Sequence, residues 1–138
     1  MNKTNEITYN CVYHVVWCTQ YKRPVLDKTV SKTVTEALKD IAADNDYGVN
    51  NLAVYPDHVE MVIKLDPKKS IHSAVKLLKN KSTSAILNKH PEIKKISSSM
   101  WTRKYMVSTE GILTRTEIEE FLKEQKTRKE VRRKANVN

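Results

Sequence analysis

Between Val12 and Thr19 the chain has a strand's short period and β-branched and aromatic side chains dominate, which predicts a strand. The period then lengthens. Val30, Val34, Ala37, Leu38 and Ile41 recur at helical spacing behind Asp27, a capping residue, and this helix should stop before Gly48. Two more strands follow, Val49 to Tyr55 and His58 to Leu65, with Pro56-Asp57 as the tight turn between them. In the second, Val59, Met61, Ile63 and Leu65 share one face, while His58, Glu60, Val62 and Lys64 share the other. Ser70 can cap a second helix with Ile71, Ala74, Val75, Leu78, Ala85 and Ile86 on its buried stripe. That helix ends near His90-Pro91, because the residue before a proline leaves the helical region. Ser99 to Thr109 reads as a bent strand ending at Gly111. Thr114 and Glu117 stand at capping-box spacing before a last helix through Ile118, Phe121, Leu122 and Gln125.

The order β-α-β-β-α-β-α defines an α+β chain. Its first six elements fit a ferredoxin-like βαββαβ unit, an antiparallel sheet with two helices on one face. The first and third strands then lie side by side at the centre. The Val59 face meets the helices. His58 and Glu60 open onto the other side, where the C-terminal helix is free to lie across them.

Composition narrows the class. A length of 138 residues suits a single domain, with a folded core at about 9–126 and a basic tail at about 127–138. Hydrophobic residues make up 39% and charged residues 30%, an ordinary balance that allows a core without staples. No apolar run approaches the roughly 18 residues of a membrane span, and the polar start Met1 to Glu6 is no signal peptide. Cys11 and Cys18 lack histidine partners at zinc spacing, so both read as free buried thiols in a reducing cytoplasm. The formal charge of +9 points to a polyanionic partner. Lys123, Lys126, Arg128, Lys129, Arg132, Arg133 and Lys134 concentrate that charge near the C-terminus. Trp17, Trp101 and His14 read as core residues, His72 and His90 as surface ones.

His58 and Glu60 point the same way from one strand. An imidazole and a carboxylate at that spacing can share one divalent ion, with Gln125 of the last helix adding an amide oxygen. A mixed nitrogen and oxygen set suits Mg²⁺ or Mn²⁺. Taken alone the signal is weak, since such a pair on a strand is more often an ordinary surface contact.

Five blocks in order carry a resemblance: Tyr13-His14-Val15-Val16-Trp17-Cys18 with Tyr21-Lys22-Arg23, Tyr55 to Ile63, Val75 to Ser82, Trp101 to Thr109, and Phe121-Leu122-Lys123-Glu124-Gln125. Over roughly residues 9–126 the chain resembles the small single-tyrosine insertion-sequence transposases of the HUH superfamily. The resemblance implies a homodimer that binds single-stranded DNA with hairpin ends. It also implies a metal held at His58, Glu60 and Gln125, and a nucleophile at position 121. Two residues depart from the family pattern. Glu60 stands where the family has its second histidine, and Phe121 where it has the tyrosine. A phenyl ring has no oxygen to attack phosphorus, so cleavage and strand transfer should fail.

Lys22, Arg23, Lys76, Lys79, Lys81, Arg103 and Lys104 are the candidate phosphate contacts. Two rival readings share these residues. One is an active metal-dependent transposase or nuclease using another tyrosine or a water. The other is a non-catalytic regulator that binds a DNA or RNA hairpin.

Overall fold

The computed structural model describes residues 2–3, 7–95, 99–109, 115–128 and 130–131. Asn2–Lys3 pairs with Thr8–Tyr9 in a short antiparallel ladder. The main elements are β1 (Cys11–Cys18), α1 (Lys28–Asp44), β2 (Gly48–Tyr55), β3 (His58–Leu65), α2 (Ile71–Lys89), β4 (Met106–Ser108) and α3 (Arg115–Glu124). The four strands stand in the order β2-β3-β1-β4, every neighbour antiparallel. This is the ferredoxin-like arrangement, with β1 and β3 at the centre.

Both helix starts are fixed by side chains. The Asp27 carboxylate accepts from the Thr29 and Val30 amides, and the Ser70 hydroxyl accepts from the Ser73 amide. α2 ends at His90, ahead of Pro91. The two helices cover one face of the sheet. Val15, Trp17, Val59, Met61, Ile63 and Leu65 from the strands meet Val34, Leu38, Val75, Leu78 and Ile86 from the helices. Trp17 and Trp101 meet edge to face, 6.0 Å between centroids, inside this core.

The late strand is shorter than its sequence predicts. Only Met106–Ser108 joins the sheet, preceded by a single bridge between Thr19 and Trp101. Met100 and Trp101 are both buried, and two consecutive inward side chains break the two-residue alternation of a strand. Two other expectations need correcting. His90 is buried, its Nε2 lying 2.8 Å from the Thr33 hydroxyl, so it joins α2 to α1. Cys11 is only half buried, whereas Cys18 is sealed. Gly111, Thr114, Lys129 and Arg132 to Lys134 lie outside the described residues. Among the described residues no helix is long and apolar enough to cross a membrane.

Candidate nucleic-acid interface

Strand register sorts the open face into cross-strand rows. Tyr55, His58 and Cys18 form one; Ala53, Glu60, Val16 and Met106 the next; Asn51, Val62, His14 and Ser108 the third. Amphipathic α3 lies over the middle of this face, where Val16 packs with Ile118, Met106, Phe121 and Leu122. The Lys22 ammonium reaches across from the turn after β1 and donates to the Leu122 carbonyl at 3.2 Å. A cation there complements the C-terminal end of α3. That turn holds Tyr21 and Lys22 at φ of 59° and 52°, left-handed values that cost free energy for side chains of this size.

His58 is 5% exposed and boxed in. Its Nδ1 lies 2.7 Å from Asp57 Oδ1 and its Nε2 lies 2.9 Å from Glu60 Oε2. The Tyr55 ring stacks on it at 4.5 Å. Glu60 Oε2 also accepts from Arg115 Nη2 at 3.0 Å, and this hydrogen bond pushes the arginine pKa up. Gln125 is buried, but its amide nitrogen turns back along α3 toward the Phe121 carbonyl at 3.3 Å. No described hydrogen bond joins Gln125 to His58 or Glu60.

Beside this cluster, burial pushes the Cys18 thiol up to about 12, with Asp57 adding to the shift. The thiol is therefore fully protonated at neutral pH and unsuited to be a nucleophile. Burial holds the His14 imidazole below its usual range, partly offset by Glu60. His14 is buried, as expected, but it also lines a cleft of about 640 Å³ on the open face with Asn10, Tyr13, Asn50, Asn51 and Val62.

The candidate phosphate contacts divide. Lys76, Lys81, Arg103 and Lys104 are exposed. Lys79 is not: its ammonium donates to the Thr102 and Arg103 carbonyls, and burial lowers its pKa. Lys22 serves α3, and Arg23 leans over the Tyr21 ring at 6.0 Å. Lys76 and Arg103 flank a groove of about 500 Å³ between α2 and the segment before β4, with His72 and Tyr105 also in its wall. His72 Nδ1 and the Tyr105 hydroxyl lie 2.8 Å apart there. The structure thus brings three of the candidates, Lys76, Lys79 and Arg103, to one groove, with the Lys79 ammonium taken up by backbone carbonyls; Lys22, Arg23, Lys81 and Lys104 are not among its lining residues.

A family model described as "Transposase IS200 like" matches residues 7–125. The chain belongs to the IS200-like transposase family. It is 31% identical to the ISDra2 transposase TnpA of Deinococcus radiodurans over 127 residues, 91% of each chain. It is 26% identical to the IS200 transposase of Salmonella typhimurium over 119 residues, 85% of this chain and 78% of the other. Among solved structures, a protein of Deinococcus radiodurans R1, crystallised as a candidate transposase, superposes with a TM-score of 0.87 at 29% identity, covering 92% of this chain and 99% of that one. A REP-associated tyrosine transposase bound to a REP hairpin gives 0.56 at 12% identity, covering 91% and 70%, a likeness of fold alone.

Sequence reasoning about this IS200-like chain missed Arg115 and underrated Asp57 and Tyr55. One signal pointed at Arg115. It opens α3, and a cation at a helix N-terminus runs against the helix dipole. Such a residue implies a carboxylate partner elsewhere, which is Glu60. Among the described residues, no group of three or more His, Cys, Asp and Glu side chains could hold a metal ion.

Proposed function

We propose that this IS200-like family member binds single-stranded DNA with hairpin ends as a homodimer in the cytoplasm, and does not cleave or transfer the strand. One observation carries the second half. Position 121, four residues before Gln125 on α3, is phenylalanine, and its ring packs with Val16 and Ile118. The resemblance puts the nucleophile at this position, and a phenyl ring cannot form a phosphotyrosine bond. Keeping the ring while losing the hydroxyl preserves the packing of α3. Loss of chemistry is thus compatible with an intact fold.

The DNA-binding half is supported by family membership, by the formal charge of +9 and by the groove flanked by Lys76 and Arg103. The hairpin held by the REP-associated neighbour makes a hairpin the natural first ligand to test. Homodimerisation rests on the resemblance alone, and light scattering on a sizing column reads it directly. The binding test is a mobility-shift titration with a labelled single strand carrying a hairpin and a single-stranded flank, run against unfolded single strand and a matching RNA hairpin. Preference for the DNA hairpin supports the proposal. Equal or tighter binding of the RNA hairpin, or no retention of either, overturns it.

A further inference from the structure

We propose that the Arg115 guanidinium takes the place of the divalent cation in this chain, so that the open face grips a DNA phosphodiester without metal. This deepens the DNA-binding reading above and rests on it. The starting point is the donor set. His58 Nε2 and Glu60 Oε2 lie 2.9 Å apart. Adjacent oxygen ligands at the 2.0–2.1 Å distances of Mg²⁺ stand about 3 Å apart, so this spacing alone suits either a hydrogen bond or an ion.

The third member of the cluster decides between them. Metal would require another oxygen or nitrogen donor aimed at the same point. What meets Glu60 Oε2 instead is Arg115 Nη2, at 3.0 Å, a group with five N–H donors and no acceptor. A divalent ion at that oxygen would have to displace the guanidinium or sit against its positive charge. Gln125, the remaining candidate ligand, is tied to its own helix through its amide nitrogen, and no described hydrogen bond brings it to His58 or Glu60.

The arginine is built in. The Tyr55 ring lies 5.7 Å from its guanidinium carbon and stacks on His58. Glu119, one turn along α3, adds an ion pair at 3.8 Å. Asp57, His58, Glu60 and Arg115 therefore form one chain of contacts from the β2–β3 turn to the start of α3. The arginine side chain remains 52% exposed, so part of its fork faces solvent. A guanidinium fork matches the paired oxygens of a phosphodiester, and it does so without a coordination sphere. Glu60 and Glu119 both pair with the guanidinium, so the grip is directional rather than a strong local positive field. The ligand is the backbone phosphate of a single strand passing over the open face.

The test begins without DNA. Mn²⁺ is titrated into the full-length chain and followed by the paramagnetic resonance of the free ion, with His58→Ala as reference. The expected result is no stoichiometric site in either protein. One Mn²⁺ per chain in the wild type, absent from His58→Ala, overturns the proposal and leaves DNA binding untouched. A labelled hairpin-bearing single strand is then titrated in EDTA and in Mg²⁺ at matched ionic strength. Affinities should agree within about twofold, and Arg115→Ala should bind about tenfold more weakly in EDTA. Arg115→Gln keeps a donor for Glu60 while removing the charge, so it guards against loss of fold and should show the same weakening. Wild-type binding abolished by EDTA, or affinity unchanged in both variants, overturns the proposal.

Discussion

Met61 and Glu60 are neighbours in β3, and they live in different solvents. Met61 is 1% exposed among aliphatic side chains beneath α1 and α2. Glu60 looks the other way, between a histidine and an arginine under the edge of α3. The helix-covered face is held by shape and apolar area, which are non-directional and repeat along every element. The open face carries a small apolar patch around Val16 and Ile118, and beyond it directed hydrogen bonds between specific groups. One face mainly sets stability. The other mainly sets what the molecule can hold.

The largest expected effect breaks the first face. Met61→Ala should cost about 2–5 kcal/mol in urea unfolding, the range for truncating a buried side chain of this size. Val62→Ala, one position along and half-buried on the open face, should cost no more than about 1 kcal/mol. Equal costs would mean that the faces do not differ in this way. A second contrast sits on α2. Lys79→Ala should destabilise by roughly 1–3 kcal/mol, because it strips the donor from the Thr102 and Arg103 carbonyls. Lys76→Ala should leave the unfolding midpoint alone and instead lower the slope of log affinity against log salt by about 0.7 for each phosphate that the lysine neutralises. A drop in stability without a change of slope in Lys76→Ala would remove that lysine from the interface.

Acid should act through the open face. Burial depresses the His14 pKa below its ordinary 6.5, so between the two values the unfolded chain binds the extra proton. The His14 contribution is complete above pH 6.5 and is lost as pH falls toward the folded value. His14→Asn should therefore flatten the acid side of the stability curve; an unchanged curve would assign acid sensitivity elsewhere. The smallest effect is chemical. Half-buried Cys11 should react with a thiol reagent in the native protein, and sealed Cys18, its thiol held near pKa 12, only on unfolding. Early labelling at Cys18 would show that the row it shares with His58 opens readily.

The helix-covered face was the more legible of the two. Periodicity located β1, β2, β3, α1 and α2, and the capping chemistry of Asp27 and Ser70 gave both helix starts. Those signals are local, so a sequence carries them openly. The segment before β4 failed because Met100 and Trp101 turn inward together, a tertiary demand that overrides alternation. His90 misled for a similar reason, since its partner Thr33 lies 57 positions away. On the open face the pattern gave His58 and Glu60 on one side of β3. It could not give the partner of Arg115, because the arginine meets Glu60 across 55 positions.

The proposed DNA binding without strand cleavage is read on a denaturing gel of the wild-type chain incubated with end-labelled, hairpin-bearing single-stranded DNA, with and without Mn²⁺, at concentrations where a native gel shows the complex. The expected result is a shifted complex on the native gel and only full-length, protein-free DNA on the denaturing one. A protease-sensitive covalent band, or cleaved strand that disappears in His58→Ala, would contradict it.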